Sequence, residues 1–193
     1  MAKLQLLNQA DAPVVFELAD CDNGKKVAFA TLNVPKALNA LNLDMIRLLA
    51  PQLTEWGNDD AIALVVLKGH GEKAFCAGGD VVSLYKAMAA NDGNNHIETF
   101  FSEEYTLDYQ IHTYEKPILL WGNGIIMGGG LGLMAGASHR VVTESARIAM
   151  PEITIGLYPD VGGSYFLNKM PAGVGLFLGL TGASINAKDA QFV

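Results

Sequence analysis

Ile118 to Ala137 reads ILLWGNGIIMGGGLGLMAGA, and this stretch decides the fold class. Ile118–Trp121 is an apolar run too short for a helix and bounded by glycine, which predicts a buried strand. GNGIIMGGG then turns the chain, and Leu131–Ala137 offers the small residues of a closely packed helix. Further upstream the same text recurs: Ala61–Leu67 is a continuous apolar run closed by Gly69, and the loop GEKAFCAGGD follows. A helix is expected from Val81, ahead of a polar tip, NDGNN, at 91–95. Buried strands that alternate with glycine turns and helices define an α/β domain.

Working outward, Val14–Leu18 and Val27–Leu32 flank Asp22-Asn23-Gly24, a strong hairpin signal. The loop LNVPKALNALN leads into an expected helix over Leu43–Trp56, with Met45, Ile46, Leu48, Leu49 and Leu53 at helical spacing. A long helix with mixed faces is expected over Ile97–Tyr114, stopped by Lys116-Pro117. Val141-Val142 and Arg147–Ala149 read as short strands around Thr143-Glu144-Ser145. Tyr165–Met170 and Val174–Leu180 read as helices. No repeat or linker divides residues 1–193, so one domain is expected. A further helix has barely begun near Ala187, which predicts a C-terminal helical part beyond this sequence.

At 193 residues a chain buries roughly 70% of its unfolded surface, enough for a core without disulfide staples. A hydrophobic content of 50%, a charged content of 17% and 21 glycines fit a compact enzyme domain. The net charge of −7 argues against nucleic acid as partner, since phosphate binding needs clustered Lys and Arg. An anionic cofactor is still compatible, held by local lysines such as Lys36 and Lys73 or by helix N-termini. Cys21 and Cys76 have no CxxC spacing, which favours reduced thiols. His70, His96, His112 and His139 have no metal-ligand spacing, so no metal is expected. MAKLQLLNQADAPVV has neither a signal-peptide core nor transit-peptide character, and no apolar run reaches membrane-spanning length. A cytoplasmic protein is the expectation.

The chemistry centres on MPEITIGLYPDVGG, Met150–Gly163, which holds Glu152 and Asp160 among apolar residues. Desolvation and mutual repulsion push two such carboxyls apart in pKa, one route to an acid and a base. Taken singly, Glu152 fits the first turn of a helix after Pro151, and Asp160 fits a Pro-Asp-x-Gly turn. AFCAGGD, Ala74–Asp80, and IIMGGGLGL, Ile125–Leu133, each place glycines between strand and helix. Tight turns explain either cluster alone. Together, two exposed backbone N–H groups from separate loops make an oxyanion hole. The run is not GxGxxG, no P-loop Lys follows, and G-x-S-x-G is absent. Cys76, flanked by apolar residues, reads as a small core residue.

PKALNALN, KAFCAGGD, the Lys-Pro strand followed by GNGIIMGGG, and MPEITIGLYPDVGG resemble the crotonase (enoyl-CoA hydratase/isomerase) superfamily, in order and over nearly the whole chain. The resemblance implies a spiral of ββα units and an acyl-CoA substrate, with no cofactor beyond its CoA moiety. It assigns the thioester oxyanion to the N–H groups of Gly79 and Gly129, and the CoA groove to Lys36 and Ala37. It also implies a homo-oligomer, trimer or hexamer, and C-terminal helices that complete the acyl pocket. Hydratases of the superfamily carry a second glutamate in GGGxE, where this chain has Gly132, and dienoyl-CoA isomerases carry an acid there too. Gly132, Glu152 and Asp160, with SEEYTLDY at Ser102–Tyr109 and PDVGGSYFL, resemble the 3-hydroxyisobutyryl-CoA hydrolase branch of valine breakdown. Glu103-Glu104-Tyr105 matches a distinctive segment of that branch. The resemblance thus implies thioester hydrolysis, with Glu152 as nucleophile or general base and Asp160 orienting a substrate hydroxyl or protonating the thiolate. An enoyl-CoA hydratase or isomerase using Glu152 as its main acid/base is the alternative, and a non-catalytic acyl-CoA-binding protein is the second.

Overall fold

The computed structural model describes residues 4–90 and 95–193. The polar tip expected at 91–95 falls, over 91–94, outside the described residues. Strands β1 (Leu4–Leu6), β2 (Val14–Asp20) and β3 (Lys26–Leu32) form an antiparallel meander. The β2–β3 register runs from Val14 opposite Leu32 to Asp20 opposite Lys26, and Gly24 takes φ +77° in the connecting turn. That left-handed angle is what the Asn-Gly pair supplies. Helix α1 (Leu43–Asn58) starts where the Asn42 side chain accepts the Met45 N–H at 2.9 Å. Its apolar face, Met45, Ile46, Leu49, Leu53 and Trp56, is buried, and Trp56 meets Phe16 edge-on at 5.5 Å.

Three ββα units follow. Strand β4 (Ile62–Gly69) lies parallel to β3, and β5 (Ala74–Cys76) precedes helices α2 (Val81–Ala90) and α3 (His96–His112). Next come β6 (Ile118–Gly122), β7 (Ile125–Met127) and α4 (Gly129–Gly136). Then come β8 (His139–Val142), β9 (Arg147–Ala149), a 3₁₀ turn at Glu152–Ile155 and α5 (Gly163–Phe166). Helix α6 (Val174–Thr181), β10 (Ile185–Asn186) and α7 (Ala187–Ala190) complete the described chain.

In each unit the first strand joins one sheet and the second joins another. The six-stranded sheet has the order β1-β2-β3-β4-β6-β8, and the four-stranded sheet the order β10-β9-β7-β5. Because β5, β7 and β9 are parallel neighbours, the loops that leave their carboxyl ends are adjacent. A common core of Leu41, Phe75, Phe100, Leu107, Leu120, Ile126 and Leu133 fills the interior. Where the sequence reads only a glycine turn, residues 125–127 form β7, and the small-residue helix begins at Gly129, ahead of Leu131. The Thr143-Glu144-Ser145 turn carries the chain from one sheet to the other. Among the described residues no helix is long and apolar enough to cross a membrane.

Candidate active site

The loops after β5, β7 and β9 deliver Gly79, Gly129 and Glu152 to one cavity of about 430 Å³, which Glu104, Asp160 and Val161 also line. In the first loop Leu41 donates its N–H to Gly78 at 2.8 Å, and Asp80 donates its N–H to the Leu41 carbonyl at 2.7 Å. This is a parallel bridge, and it turns the N–H of the intervening Gly79 away from Leu41. Gly129 opens α4, where an N–H has no acceptor within its own helix. The two loops touch: a Cβ added to Gly78 would lie 3.3 Å from the Met127 carbonyl oxygen and 3.8 Å from the Gly129 nitrogen. Gly128, at φ +50°, is required twice over, because a Cβ there would also stand 2.9 Å from Glu152 Oε1.

Glu152 is 6% exposed, and its Oε2 has no hydrogen-bond partner. Burial, reinforced by the negative charge of Asp160, pushes its pKa up to about 7. A carboxyl so placed titrates near neutrality, where general acid/base work is done. Asp160 is half-buried, and its Oδ2 accepts the Tyr105 hydroxyl at 2.7 Å. That bond spans from the middle of α3 to the loop before α5 and fixes where the second carboxylate sits.

Gly132 is the position to which the resemblance assigns the other glutamate of hydratases. Here a Cβ would approach the Val161 Cβ to 2.5 Å and its Cγ2 to 2.9 Å. The space is already filled by Val161, which is buried and holds φ +42°, a left-handed angle that β-branched residues avoid. The missing acid and the strained valine are two sides of one packing solution, next to Asp160.

Helix α3 adds one carboxyl to the site, Glu104, and buries a second, Asp108, behind it; sequence reading placed neither there. Glu104 is 2% exposed and lies against Gly129, and Asp108, one turn on, has both oxygens unpartnered. Burial first, then the charges of Asp160 and Glu152, pushes Glu104 up to about 8, while burial and then Glu104 and Asp160 push Asp108 up to about 9. Their signal is present in the sequence: Phe100, Glu104, Leu107, Asp108 and Ile111 share one helical stripe, so two acids fall on the apolar face. Glu103, by contrast, points outward and makes a bidentate pair with Arg47 at 2.7 and 2.9 Å.

Lys36 and Ala37 are not brought into the cavity. They lie exposed on a 3₁₀ turn, Pro35–Ala37, whose next residue, Leu38, accepts the Ala77 N–H at 3.1 Å. Asn39 anchors that loop by donating to the carbonyls of His70 and Ala74. Cys76 is fully buried, and burial raises its thiol to about 12, consistent with a packing role. A larger cavity, about 750 Å³, lies between α4 and the α5–α7 segment and contains none of Gly79, Gly129, Glu152 or Asp160. Among the described residues no group of three or more His, Cys, Asp or Glu side chains is arranged to hold a metal ion.

Comparison with known proteins gives the family and the fold. A family model described as Enoyl-CoA hydratase/isomerase matches residues 27–193. The chain is 48% identical over 186 residues to the 3-hydroxyisobutyryl-CoA hydrolase, mitochondrial, of Danio rerio, covering 96% of this chain and 47% of that protein. It is 50% identical over 162 residues to the small ribosomal subunit protein mS47 of Neurospora crassa, covering 83% of this chain and 32% of that protein. Among solved structures, a carnitinyl-CoA dehydratase from Mycobacterium thermoresistibile superposes with a TM-score of 0.84 at 42% identity, covering 94% of this chain and 51% of that one. The chain therefore spans about half the length, or less, of these relatives. It belongs to the enoyl-CoA hydratase/isomerase family, with the crotonase fold.

Proposed function

We propose that this chain carries the thioester-activating centre of a 3-hydroxyisobutyryl-CoA hydrolase of valine degradation. The reaction adds water across the acyl–sulfur bond and releases 3-hydroxyisobutyrate and free CoA thiol. The observation that carries the reading is the exchange at Gly132. With Val161 in that space a two-glutamate water addition has lost one partner, while Glu152 lines the cavity and keeps one buried, unpartnered oxygen. The 48% identity to a protein named for this hydrolysis supports it.

In this mechanism the N–H groups of Gly79 and Gly129 stabilise the oxyanion that forms when the thioester carbonyl is attacked. Glu152 either attacks the carbonyl, giving a mixed anhydride that water opens, or removes a proton from the attacking water. Asp160, fixed by Tyr105, orients the substrate hydroxyl or protonates the departing thiolate. Lys36 and Ala37 border the path of the CoA moiety. Single-turnover hydrolysis in oxygen-18 water separates the two routes for Glu152: label in the carboxyl of Glu152 after turnover identifies the anhydride. The hydrolase reading itself is tested by thiol release from 3-hydroxyisobutyryl-CoA beside hydration of crotonyl-CoA. Rapid hydration without thiol release overturns it in favour of a hydratase.

A second reading has its own support. The 50% identity to a protein named as part of the small ribosomal subunit, and not for an enzymatic activity, supports it. A non-catalytic acyl-CoA-binding role predicts CoA-ester binding that survives Glu152→Gln, with no turnover before or after the change. The exposed apolar residues Leu176, Phe177 and Leu180 on α6 support a homo-oligomer, which light scattering tests. The cytoplasmic expectation stands against the mitochondrial name of the Danio rerio relative, and cell fractionation decides between them.

A further inference from the structure

A second cavity, of about 470 Å³, lies between α3 and the loop that leads into α5. It shares Asp160 and Val161 with the 430 Å³ cavity but holds none of Gly79, Gly129 or Glu152. Tyrosine dominates its wall: Tyr105, Tyr109, Tyr158 and Tyr165 line it, four of the six tyrosines in the chain. Tyr105 and Tyr109 stand one turn apart on α3, and Tyr158 and Tyr165 come from the loop and from α5, so rings enter from separate elements. Tyr109 and Tyr158 are each 69% exposed, which their large rings do not gain from in a fold that packs nothing on them. The charge of the wall is one-sided. Asp108 and Asp160 line it and no lysine or arginine does, while His112 stands edge-on to Tyr165 at 5.3 Å. Asp108 is 9% exposed and neither of its carboxyl oxygens has a partner. One of these rings already serves a cation: Lys169, which is outside this lining, holds its Nζ 5.1 Å from the centre of the Tyr165 ring.

We propose that this groove binds a small organic cation of the quaternary ammonium class, held by the tyrosine rings beside Asp160. An aromatic face attracts a cation through its quadrupole, and a carboxylate close by adds opposite charge. The choice of a quaternary over a primary ammonium follows from the acceptors. A primary ammonium or a guanidinium brings three to five N–H groups that each need one. Here Asp160 Oδ2 already accepts the Tyr105 hydroxyl at 2.7 Å, and the Asp108 oxygens are buried. A quaternary ammonium has no N–H to satisfy and presents methyl groups that pack on rings. The cavity volume also falls in the ordinary range of small-molecule sites, about 300–1,000 Å³. Nothing in this inference depends on the hydrolase reading.

The test compares choline with 3,3-dimethyl-1-butanol, which has the same shape with carbon in place of the charged nitrogen, and with ethanolamine, the primary ammonium. Dissociation constants are read from ligand-observed NMR titrations of the full chain. Choline is expected to bind more tightly than the neutral alcohol by roughly threefold to thirtyfold, the range of a cation on aromatic faces, and more tightly than ethanolamine. The double variant Tyr109→Leu with Tyr158→Leu should lose most of the preference for choline over the alcohol. The double variant Tyr109→Phe with Tyr158→Phe keeps the rings and should retain it. Equal affinity for choline and the alcohol, or no binding of choline, overturns the proposal and leaves a plain apolar groove. Tighter binding of ethanolamine overturns the quaternary class. A preference that survives the leucine pair overturns the location, since neither Tyr109 nor Tyr158 lines the 430 Å³ cavity. Should the leucine pair not fold, each single leucine variant is titrated in its place and judged the same way. Thiol release is not a readout here, so failure of this inference and failure of the hydrolase reading stay distinguishable.

Discussion

Val161 and Gly132 make one unit at the scale of single residues. Replacing Gly132 with glutamate to restore the hydratase pattern puts a side chain into Val161, whose Cβ already stands 2.5 Å from the required Cβ position. Gly132→Glu is expected to cost about 1–3 kcal/mol in stability through overpacking and to gain no crotonyl-CoA hydration. Adding Val161→Gly opens the space and removes a β-branched residue from φ +42°, so the double variant should recover much of that loss. Urea midpoints over the double-mutant cycle check the coupling, and additive losses would show that the two positions do not compete for one space. Tyr105 supports a second prediction at this scale. Its 2.7 Å bond to Asp160 is charge-assisted, so Tyr105→Phe should lower kcat for thiol release by about tenfold or more with little change in KM. Glu152 sets the third: with its pKa pushed up to about 7, either of its roles needs the ionised carboxylate. The rate is therefore expected to rise with pH through about 7 and to be lost in acid, read from a pH profile of kcat/KM.

Helix α3 stores an acid stripe inside the fold, and its consequence for stability has a definite sign. Glu104 and Asp108 titrate near 8 and 9 in the native state against ordinary values near 4 in the unfolded chain. The native state therefore holds more protons than the unfolded state between about pH 4 and 9. Stability falls as pH rises through that window, with a slope on the order of 1 kcal/mol per pH unit for each group. Urea midpoints at pH 6 and pH 8.5 should differ in favour of pH 6. Asp108→Asn should flatten the difference and raise the midpoint at pH 8.5, and an unchanged slope would remove the buried acids as its cause. The stripe also marks where the sequence is legible and where it stops. The hairpin, α1, β4 and β6 announce themselves through turn chemistry and apolar runs, because in them local preference and tertiary burial agree. Strand β7 does not: three residues between glycines carry too little pattern, and only pairing with β5 and β9 makes Ile125–Met127 a strand. Glu152, Asp160 and the glycine loops could be singled out through special chemistry at loop positions. Glu104 and Asp108 could not be ranked the same way, since an acid in a helix is ordinarily solvated, and its burial is set by the loops that fold onto it.

Across the whole molecule, the site depends on two sheets holding a fixed relation. Gly79, Gly129 and Glu152 hang from the four-stranded sheet, whereas the first strand of each unit belongs to the six-stranded one. Residues from both enter one buried cluster, which includes Phe16 and Trp56 at one side and Phe75 and Ile126 at the other. If that cluster is a single cooperative core, damage in the small sheet must be felt at Trp56 on α1. Ile126 is fully buried in β7, and Ile126→Ala removes its branched side chain at an expected cost of about 2–5 kcal/mol. With a urea slope of roughly 2 kcal/mol per molar, that corresponds to a midpoint lowered by about 1–2 M. Tryptophan fluorescence, dominated in its burial change by Trp56, and far-UV circular dichroism should report the same lowered midpoint with an unchanged slope. A fluorescence midpoint that stays in place while the dichroism signal splits would mean that the small sheet unfolds by itself, and that the oxyanion loops are positioned without help from the larger sheet.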